Sequence, residues 1–225
     1  MEIWAAIDLS GKEAFFSFGR FPEKKIISSV SFTMKGRDSS SLLPKIEEVL
    51  ARESLGICDV SRWTAGTGPG NYTGLRIVSA LVSGIAYGKE KVMCRGIPSA
   101  LAMLSELAAS EGENSAVLYP YDSENIFAFA GMMKQGRFFK DQEHTGIFSV
   151  ADYHGRFKGL KKAFLEKDSA KMPLGVIEGC IGIPEFPAQN LVFVEPEQWD
   201  VNSVKDLIYI RPAVNVAPMH IRTEL

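Results

Sequence analysis

The sequence has few cysteines and few histidines, with three of each among 225 residues. Three widely spaced cysteines provide neither a disulfide framework nor zinc-ligand spacing, and they fit a reducing compartment. No two histidines stand four residues apart, so a helix-borne histidine metal site is not expected. The cysteines are Cys58, Cys94 and Cys180, and the histidines are His144, His154 and His220.

Neither a strong net charge nor a long hydrophobic run is present. The formal net charge is −2, which argues against a protein that coats nucleic acid by electrostatic attraction alone. No stretch approaches the ~18 apolar residues that a membrane-spanning helix needs. The apolar start of the chain ends at Asp8 and lacks a basic segment, so no secretory signal peptide is expected. These absences predict a cytoplasmic protein without a membrane segment.

The first half of the chain changes from consecutive strands to alternating helices and strands. Hydrophobic patterning predicts three strands followed by a helix, and then strand, helix, strand and helix. This alternation favours parallel strands joined by right-handed crossovers. The order βββαβαβα predicts an α/β fold of the actin-like, ribonuclease-H-like type with a mixed central sheet. The predicted strands are 2–9, 13–20, 25–33, 61–66 and 91–95, and the predicted helices are 40–54, 73–87 and 98–110.

The second half is less regular and predicts a smaller second lobe. We place the first lobe at 1–112 and the second at 113–225. Glycine and proline are dense between 173 and 190, which favours a loop there. The strands predicted in this half are 115–120, 125–132, 136–140, 191–195 and 207–211.

A glycine-rich turn, residues 66–76 (GTGPGNYTGLR), lies between a predicted strand and a predicted helix. It is not a P-loop, because no Lys-Ser or Lys-Thr pair ends it, and the third glycine position of a dinucleotide fingerprint holds Asn71. Two interpretations stay open: a tight connection that needs glycine, or a surface that contacts an anion or a partner. The candidate contacts are Gly68, Pro69, Gly70, Asn71, Tyr72, Thr73, Gly74 and Arg76.

The helix after this turn lacks a charged face. Between Thr73 and Gly88 the only charged residue is Arg76, whereas an ordinary surface helix presents a charged outer side. The helix must therefore be covered on more than one side, either within its own chain or by another protein. A partner surface formed with the helix at 40–54 is the second possibility. Its candidate residues are Leu42, Leu43, Ile46, Leu75, Val78, Ser79, Val82 and Ser83.

Four segments resemble the TsaB family, also called YeaZ. The most specific is the glycine turn 66–76, followed by Ile77. Residues 7–10 (IDLS) resemble the family's first strand end, and residues 42–46 (LLPKI) resemble its helix start. Residues 209–212 (YIRP) resemble its C-terminal ending. Two segments depart from the family pattern: 38–41 (DSSS), ahead of the first helix, and 121–125 (YDSEN), at the start of the second lobe.

The resemblance implies a non-catalytic subunit of the bacterial system that makes threonylcarbamoyladenosine at position 37 of tRNA. Such a subunit pairs with a TsaD-type enzyme, with a TsaE-type ATPase as a possible further partner. It contacts tRNA only indirectly, and it pairs with itself when alone. It needs no metal and no cofactor of its own, with ATP expected only at a partner interface.

An enzymatic alternative stays open, in which the chain is an independent ATP-binding actin-like enzyme. Asp8 and the residues after it would then form a degenerate phosphate-binding loop, although no second phosphate-binding loop is evident after residue 114. A two-metal nuclease would need more carboxylates than Asp8, Glu47 and Glu48. No serine or cysteine triad supports the older glycoprotease label of the family. We therefore expect no catalytic residues.

Overall fold

The structure is a computed structural model that describes residues 1–34, 39–107, 113–134, 137–194 and 204–210. Within these ranges the chain forms two five-stranded sheets, and helices pack against both. No helix in the described part is long and apolar enough to cross a bilayer.

The first sheet is mixed and has the order β3-β2-β1-β4-β5. The pairs β1–β2 and β2–β3 are antiparallel, whereas β4 and β5 join as parallel strands, as crossover connections require. The ends of the parallel strands β1 and β4 therefore meet at one edge of the sheet. The strands are β1 (Glu2–Asp8), β2 (Glu13–Phe21), β3 (Lys25–Thr33), β4 (Val60–Gly66) and β5 (Met93–Ile97).

Three helices accompany this sheet: α1 (Leu42–Arg52), α2 (Tyr72–Ala86) and α3 (Ala100–Leu107). A short 3₁₀ helix (Ser39–Ser41) precedes α1, and another (Ile57–Asp59) precedes β4. The observed order βββαβαβα confirms the predicted order of elements in this half of the chain.

The second sheet has the order β10-β9-β6-β7-β8. Strands β6, β7 and β8 form an antiparallel meander. Strand β9 pairs parallel with β6, and β10 pairs parallel with β9. Two short helices and a six-residue 3₁₀ helix (Glu166–Lys171) connect or flank the strands. The elements are β6 (Asn114–Pro120), β7 (Asn125–Lys134), β8 (Arg137–Ser149), β9 (Lys161–Leu165), β10 (Ile181–Ile183), α4 (Val150–Arg156) and α5 (Asn190–Phe193).

The sequence-based assignment was weaker in this half. The strand predicted at 191–195 is wrong, because residues Asn190–Phe193 form α5, in which Leu191 and Val192 are buried. Four apolar residues in a row fit a buried helical turn as well as a strand. Strand β9 was not predicted, and β10 lies inside the predicted loop 173–190.

The region around 207–211 forms one isolated parallel bridge, between Tyr209 and Gly70, rather than the strand that was predicted. The described part of the chain ends at Ile210 there. The predicted lobe boundary between 112 and 113 stays a prediction, because residue 112 lies outside the described residues.

One hydrophobic cluster joins the two sheets. It contains Trp4 of β1, Met103 of α3, Phe129 of β7 and Leu191 of α5, all buried. Six of the eight residues of α3 are buried, so this helix lies between layers rather than at the surface. A second cluster lies between the first sheet, α1 and α2, and a third lies under α4. The two sheets are thus tied together through α3 and α5.

Candidate functional site

The glycine-rich turn lies where β1 and β4 end, and Asn71 holds it there. The Asn71 side-chain oxygen accepts a hydrogen bond from the Gly74 backbone N–H at 2.7 Å, which caps the start of α2. Its amide nitrogen donates to the carbonyl oxygens of Ser10 at 3.1 Å and Gly11 at 2.6 Å. One side chain therefore fixes both the helix start and the loop after β1.

Two glycines of the turn are required by close backbone approach. Gly68 has φ +104°, and a Cβ there would collide with the carbonyl oxygen of Ile208. A Cβ at Gly74 would collide with the carbonyl oxygen of Leu9. The tight-connection interpretation of the glycines therefore has a direct steric basis.

Asp8 ends β1 beneath this turn and is 1% exposed. Its Oδ1 accepts hydrogen bonds from the Ser10 N–H at 2.9 Å and the Ser10 hydroxyl at 2.7 Å. Its Oδ2 accepts a hydrogen bond from the Ser99 hydroxyl. Burial raises the pKa of the Asp8 carboxyl above its ordinary value, although these hydrogen bonds and the charge of Lys167 oppose the shift. Asp8 is therefore a buried organiser of the turn rather than a solvated carboxylate.

The backbone N–H groups of the turn donate to the chain itself. Gly68 N–H donates to the Ser99 hydroxyl at 3.1 Å, and Asn71 N–H donates to the Ser10 carbonyl at 2.9 Å. Gly70 N–H donates to the carbonyl of Ile208 at 3.1 Å. These groups, together with the Gly74 N–H, have no free hydrogen for an anion.

The N–H groups of Gly68, Gly70, Asn71 and Gly74 are therefore already bonded, and Pro69 has no N–H to offer. Contact with an anion or a partner stays a prediction for these five residues and for Tyr72, Thr73 and Arg76, which lie at the start of α2 and are partly or fully exposed.

A C-terminal segment, residues 204–210, lies along the turn. The N–H of Ile208 donates to the Thr67 carbonyl at 2.8 Å, and the N–H of Ile210 donates to the Gly70 carbonyl at 3.3 Å. The Tyr209 ring packs against the Tyr72 ring with centroids 4.9 Å apart. The turn is thus held from one side by the loop after β1 and from the other by this segment.

Most of the predicted partner residues lie in the chain's own core. Leu42, Ile46, Leu75, Val78 and Val82 are each 0% exposed. All of them except Leu75 belong to the cluster between the first sheet, α1 and α2. These five residues have no surface to offer a partner, so their assignment to an interface is corrected. The remaining three, Leu43, Ser79 and Ser83, are partly exposed. Contact with a partner stays a prediction for these three residues.

The outer side of α2 is exposed and nearly uncharged. One stripe of residues at helical spacing faces away from the sheet, and small or uncharged side chains make up all of it except Arg76. The apolar Ile77 and Leu81 border the stripe and are partly exposed. Tyr87, which ends the stripe, is 88% exposed. The stripe, called the outer face of α2 below, consists of Thr73, Arg76, Ala80, Gly84 and Tyr87.

A cleft of about 930 Å³ opens beside the glycine turn. The loop after β1, the start of α2, the end of β6, the 3₁₀ helix at Glu166–Lys171 and the C-terminal segment all contribute to its walls. It is therefore bordered by elements of both sheets. Its walls include Lys12, Phe15, Tyr72, Tyr119, Lys167 and Ile210.

Residues 1–34, 39–107, 113–134, 137–194 and 204–210 contain no group of three or more His, Cys, Asp or Glu side chains able to hold a metal ion. Two of the histidines, His144 and His154, fall in the described part. The His144 ring lies 2.7 Å from an Asp141 carboxylate oxygen and 3.1 Å from the Arg156 carbonyl oxygen, which gives it a structural role between β8 and α4.

Known proteins resemble this chain over part of its sequence and in its fold. No family model matches the chain. A curated relative, the tRNA threonylcarbamoyladenosine biosynthesis protein TsaB of Haemophilus influenzae, is 39% identical over 49 residues. That match covers 22% of this chain and 21% of the relative, so the chain spans about a fifth of the length of the curated relative it matches.

Solved structures extend the likeness to nearly the whole chain. YeaZ from Pseudomonas aeruginosa superposes with a TM-score of 0.60 at 18% identity, covering 85% of this chain and 89% of that one. An uncharacterized protein similar to peptidase YeaZ from Pseudomonas aeruginosa superposes with a TM-score of 0.65 at 17% identity, covering 94% and 100%. The chain therefore has the fold of these YeaZ structures. The actin-like α/β fold class predicted from the sequence is thereby confirmed.

The two departures from the TsaB/YeaZ pattern occupy different settings. Asp38 lies outside the described residues, and Ser39–Ser41 form the 3₁₀ helix before α1. In the second departure, the Asp122 carboxylate accepts hydrogen bonds from the N–H groups of Glu124 and Asn125, each at 2.8 Å. Asp122 therefore shapes the turn between β6 and β7.

Two residues of the site were missed by sequence reasoning. Ser99 appeared only as part of a helix opening, yet its hydroxyl links the Asp8 carboxylate to the Gly68 N–H. Tyr119 was counted as a strand residue, yet it lines the cleft. No local pattern marks either one, because Ser99 bonds Asp8 across 91 residues of sequence and the Asp8 charge affects the pKa of Tyr119 only in the folded chain.

Proposed function

We propose that this chain is a subunit of the system that makes threonylcarbamoyladenosine in tRNA, and that it pairs with a TsaD-type enzyme. The relation to the TsaB of Haemophilus influenzae supports the involvement in that biosynthesis. The fold shared with YeaZ agrees with it.

The outer face of α2 is the observation that carries the pairing proposal. An exposed helix side with one charged residue, bordered by the apolar Ile77 and Leu81, is unusual for a surface that stays in water. Small side chains at Ala80 and Gly84 let the backbone of a second helix approach closely. We place the partner on this face, and the same face serves when two free copies of the chain pair with each other.

The decisive experiment is co-purification of the chain with the TsaD-type protein of the same organism. The variant Ala80→Glu puts a charge in the centre of the outer face of α2. We expect at least a tenfold loss of recovered complex, because a buried unpaired charge costs more than the ~1.4 kcal/mol of a tenfold change. The matched control is Ala151→Glu, which adds the same charge to an exposed position on α4.

Failure of the native chain to recover a TsaD-type protein would contradict the pairing. Equal recovery by Ala80→Glu and native chain would place the interface elsewhere and overturn the role of α2. Sedimentation of the purified chain reports the pairing of free copies, which Ala80→Glu should convert to monomers.

The catalytic step belongs to the partner in this proposal, and the chain uses no cofactor of its own. Asp8, at the end of β1, supports a chain without catalysis of its own, because this carboxylate is buried and accepts hydrogen bonds from Ser10 and Ser99. ATP and a TsaE-type ATPase would then meet the chain at the seam with its partner. Calorimetric titration of the purified chain with Mg-ATP, followed by a phosphate-release assay, tests this, since turnover would support the independent enzyme instead.

A further inference from the structure

A run of cationic side chains without a carboxylate spans the end of α4 and the whole of β9. Residues 153–165 contain no aspartate or glutamate, and they carry four cations, Arg156, Lys158, Lys161 and Lys162. The whole chain, by contrast, has a formal net charge of −2. Positive charge is therefore concentrated in one short stretch of a slightly acidic protein. Residues 153–165 are called the basic segment below.

Three of these cations lie close together around Phe157. The Lys162 ammonium donates to the Phe157 carbonyl oxygen at 3.5 Å, and Arg156 and Lys158 are the chain neighbours of Phe157. The Arg156 guanidinium also lies over the Phe148 ring, 5.6 Å from its centroid. The three charges therefore form one patch rather than separate points on the surface.

No carboxylate neutralises this patch. In the described part of the chain no ion pair joins Arg156, Lys158 or Lys162 to an acidic side chain. The fourth cation differs, since the Lys161 ammonium lies 2.5 Å from the Glu113 carboxylate. Arg156 and Lys158 are exposed, and Lys162 is partly exposed. Three positive charges are thus open to an anionic partner.

The basic segment lies on the opposite side of the molecule from the outer face of α2. The three hydrophobic clusters define the order of the layers: α1 with α2, the first sheet, α3 with α5, the second sheet, and α4. Lys162 lies on the α4 side of the second sheet, because it pairs with Ala116 of the cluster under α4. A partner bound to the outer face of α2 therefore leaves the basic segment exposed.

The aromatic rings of the basic segment are unavailable for stacking on bases. Tyr153 is 2% exposed, Phe157 1% and Phe164 7%. Proteins that recognise single-stranded RNA stack its bases on exposed rings, whereas exposed cations contact phosphate oxygens and carry no sequence information. Contact through this segment should therefore be independent of base sequence.

We propose that the basic segment binds the phosphate backbone of a structured RNA, through Arg156, Lys158 and Lys162. The choice of RNA among polyanions rests on the proposed function in tRNA modification. The proposal predicts direct contact with tRNA, whereas the family resemblance implied only indirect contact. The chain would then hold tRNA on one side and its protein partner on the other.

Fluorescence anisotropy of a labelled, unmodified tRNA transcript, titrated with the full chain at about 50 mM salt, measures this contact. We expect a dissociation constant of about 10–100 µM, the range of sequence-independent binding. The logarithm of the binding constant should fall with the logarithm of salt concentration with a slope of about −2 to −3, since three neutralised phosphates each contribute about −0.7 to −0.9.

Paired charge removals locate the contact. Lys158→Gln combined with Lys162→Gln should weaken tRNA binding about fivefold and bring the salt slope closer to zero by about 1–2. The matched control, Lys25→Gln combined with Lys89→Gln, removes the same charges at exposed positions on β3 and after α2, and it should change binding less than about twofold. Circular dichroism checks the fold of each variant. Lys158→Gln alone, at an exposed position, should still weaken binding about twofold.

Three results would overturn the proposal. The first is no binding of the transcript at about 100 µM chain, and the second is an equal loss of binding by the two double variants. The third is tighter binding to phosphatidylserine vesicles than to the transcript, which would assign the basic segment to a membrane surface. Each is read on the isolated chain, whereas failure of the proposed pairing is read from co-purification, so the two proposals fail separately.

Discussion

At the scale of single residues, Asp8 combines an unfavourable burial of its carboxyl with the hydrogen bonds that organise the glycine turn. Its carboxyl is buried, yet three hydrogen bonds from Ser10 and Ser99 converge on it. Ser99 also accepts the Gly68 N–H, so the carboxyl reaches the glycine turn through one hydroxyl. Because burial raises the pKa of Asp8, the native state holds this proton more tightly than the unfolded chain does.

The first prediction follows from that difference in proton binding. The stability that protonated Asp8 contributes is fully present below the unfolded pKa of about 3.8 and is lost as pH rises through the folded value. Asp8→Asn removes this titration, so its free energy of unfolding relative to the native sequence should increase as pH rises above the unfolded pKa of about 3.8. Urea unfolding of both proteins across this range measures the difference, and a difference independent of pH would contradict the assignment.

At the scale of elements, α2 combines a buried inner side with a nearly uncharged outer side. Its two internal glycines occupy these two sides. Gly74 lies where a Cβ would meet the Leu9 carbonyl oxygen, whereas Gly84 has nothing within 4 Å of its Cβ position. The sequence alone shows two glycines in one helix and does not distinguish them.

The second prediction is that alanine has opposite effects at these positions. Gly84→Ala should stabilise the chain by about 0.5–1 kcal/mol, the usual advantage of alanine in a helix interior. Gly74→Ala should destabilise it by about 1–3 kcal/mol, because the first turn must move away from the loop after β1. Chemical denaturation of the two variants compares them directly, and each serves as the other's control. Destabilisation by both would mean that the outer face is covered within the chain.

At the scale of the whole molecule, the two sheets share one core. Helices α3 and α5 contribute to the cluster that contains residues of β1 and β7. Arg95 of β5 reinforces the junction, since its guanidinium donates to the Val192 carbonyl of α5 at 3.2 Å while it is buried. We therefore expect both sheets to unfold in one cooperative transition.

The third prediction tests that junction. Leu191→Ala removes a fully buried side chain from α5 and should cost about 2–5 kcal/mol, the usual range for such a cavity. Hydrogen exchange should accelerate in β1 and in β7 together, with one thermal transition retained. A second transition, or acceleration confined to one sheet, would show that the two halves are independently stable.

The sequence by itself determined the order βββαβαβα, the end of β1 at Asp8 and the missing charged face of α2, because these follow from local periodicity and composition. It did not determine which side of α2 is covered, since that depends on the sheet beneath it. It misassigned 191–195, where a short apolar run fits either a strand or a helix until its neighbours are present.

Only the tertiary structure decided how the site is built. Asp8, Ser99 and Tyr119 come from three distant segments, and no local signal connects them. The N–H groups of Gly70 and Asn71 are bonded only because the C-terminal segment and the loop after β1 lie against the turn. Hydrogen bonding and burial are set by contacts between segments, and such contacts exist only in the folded chain.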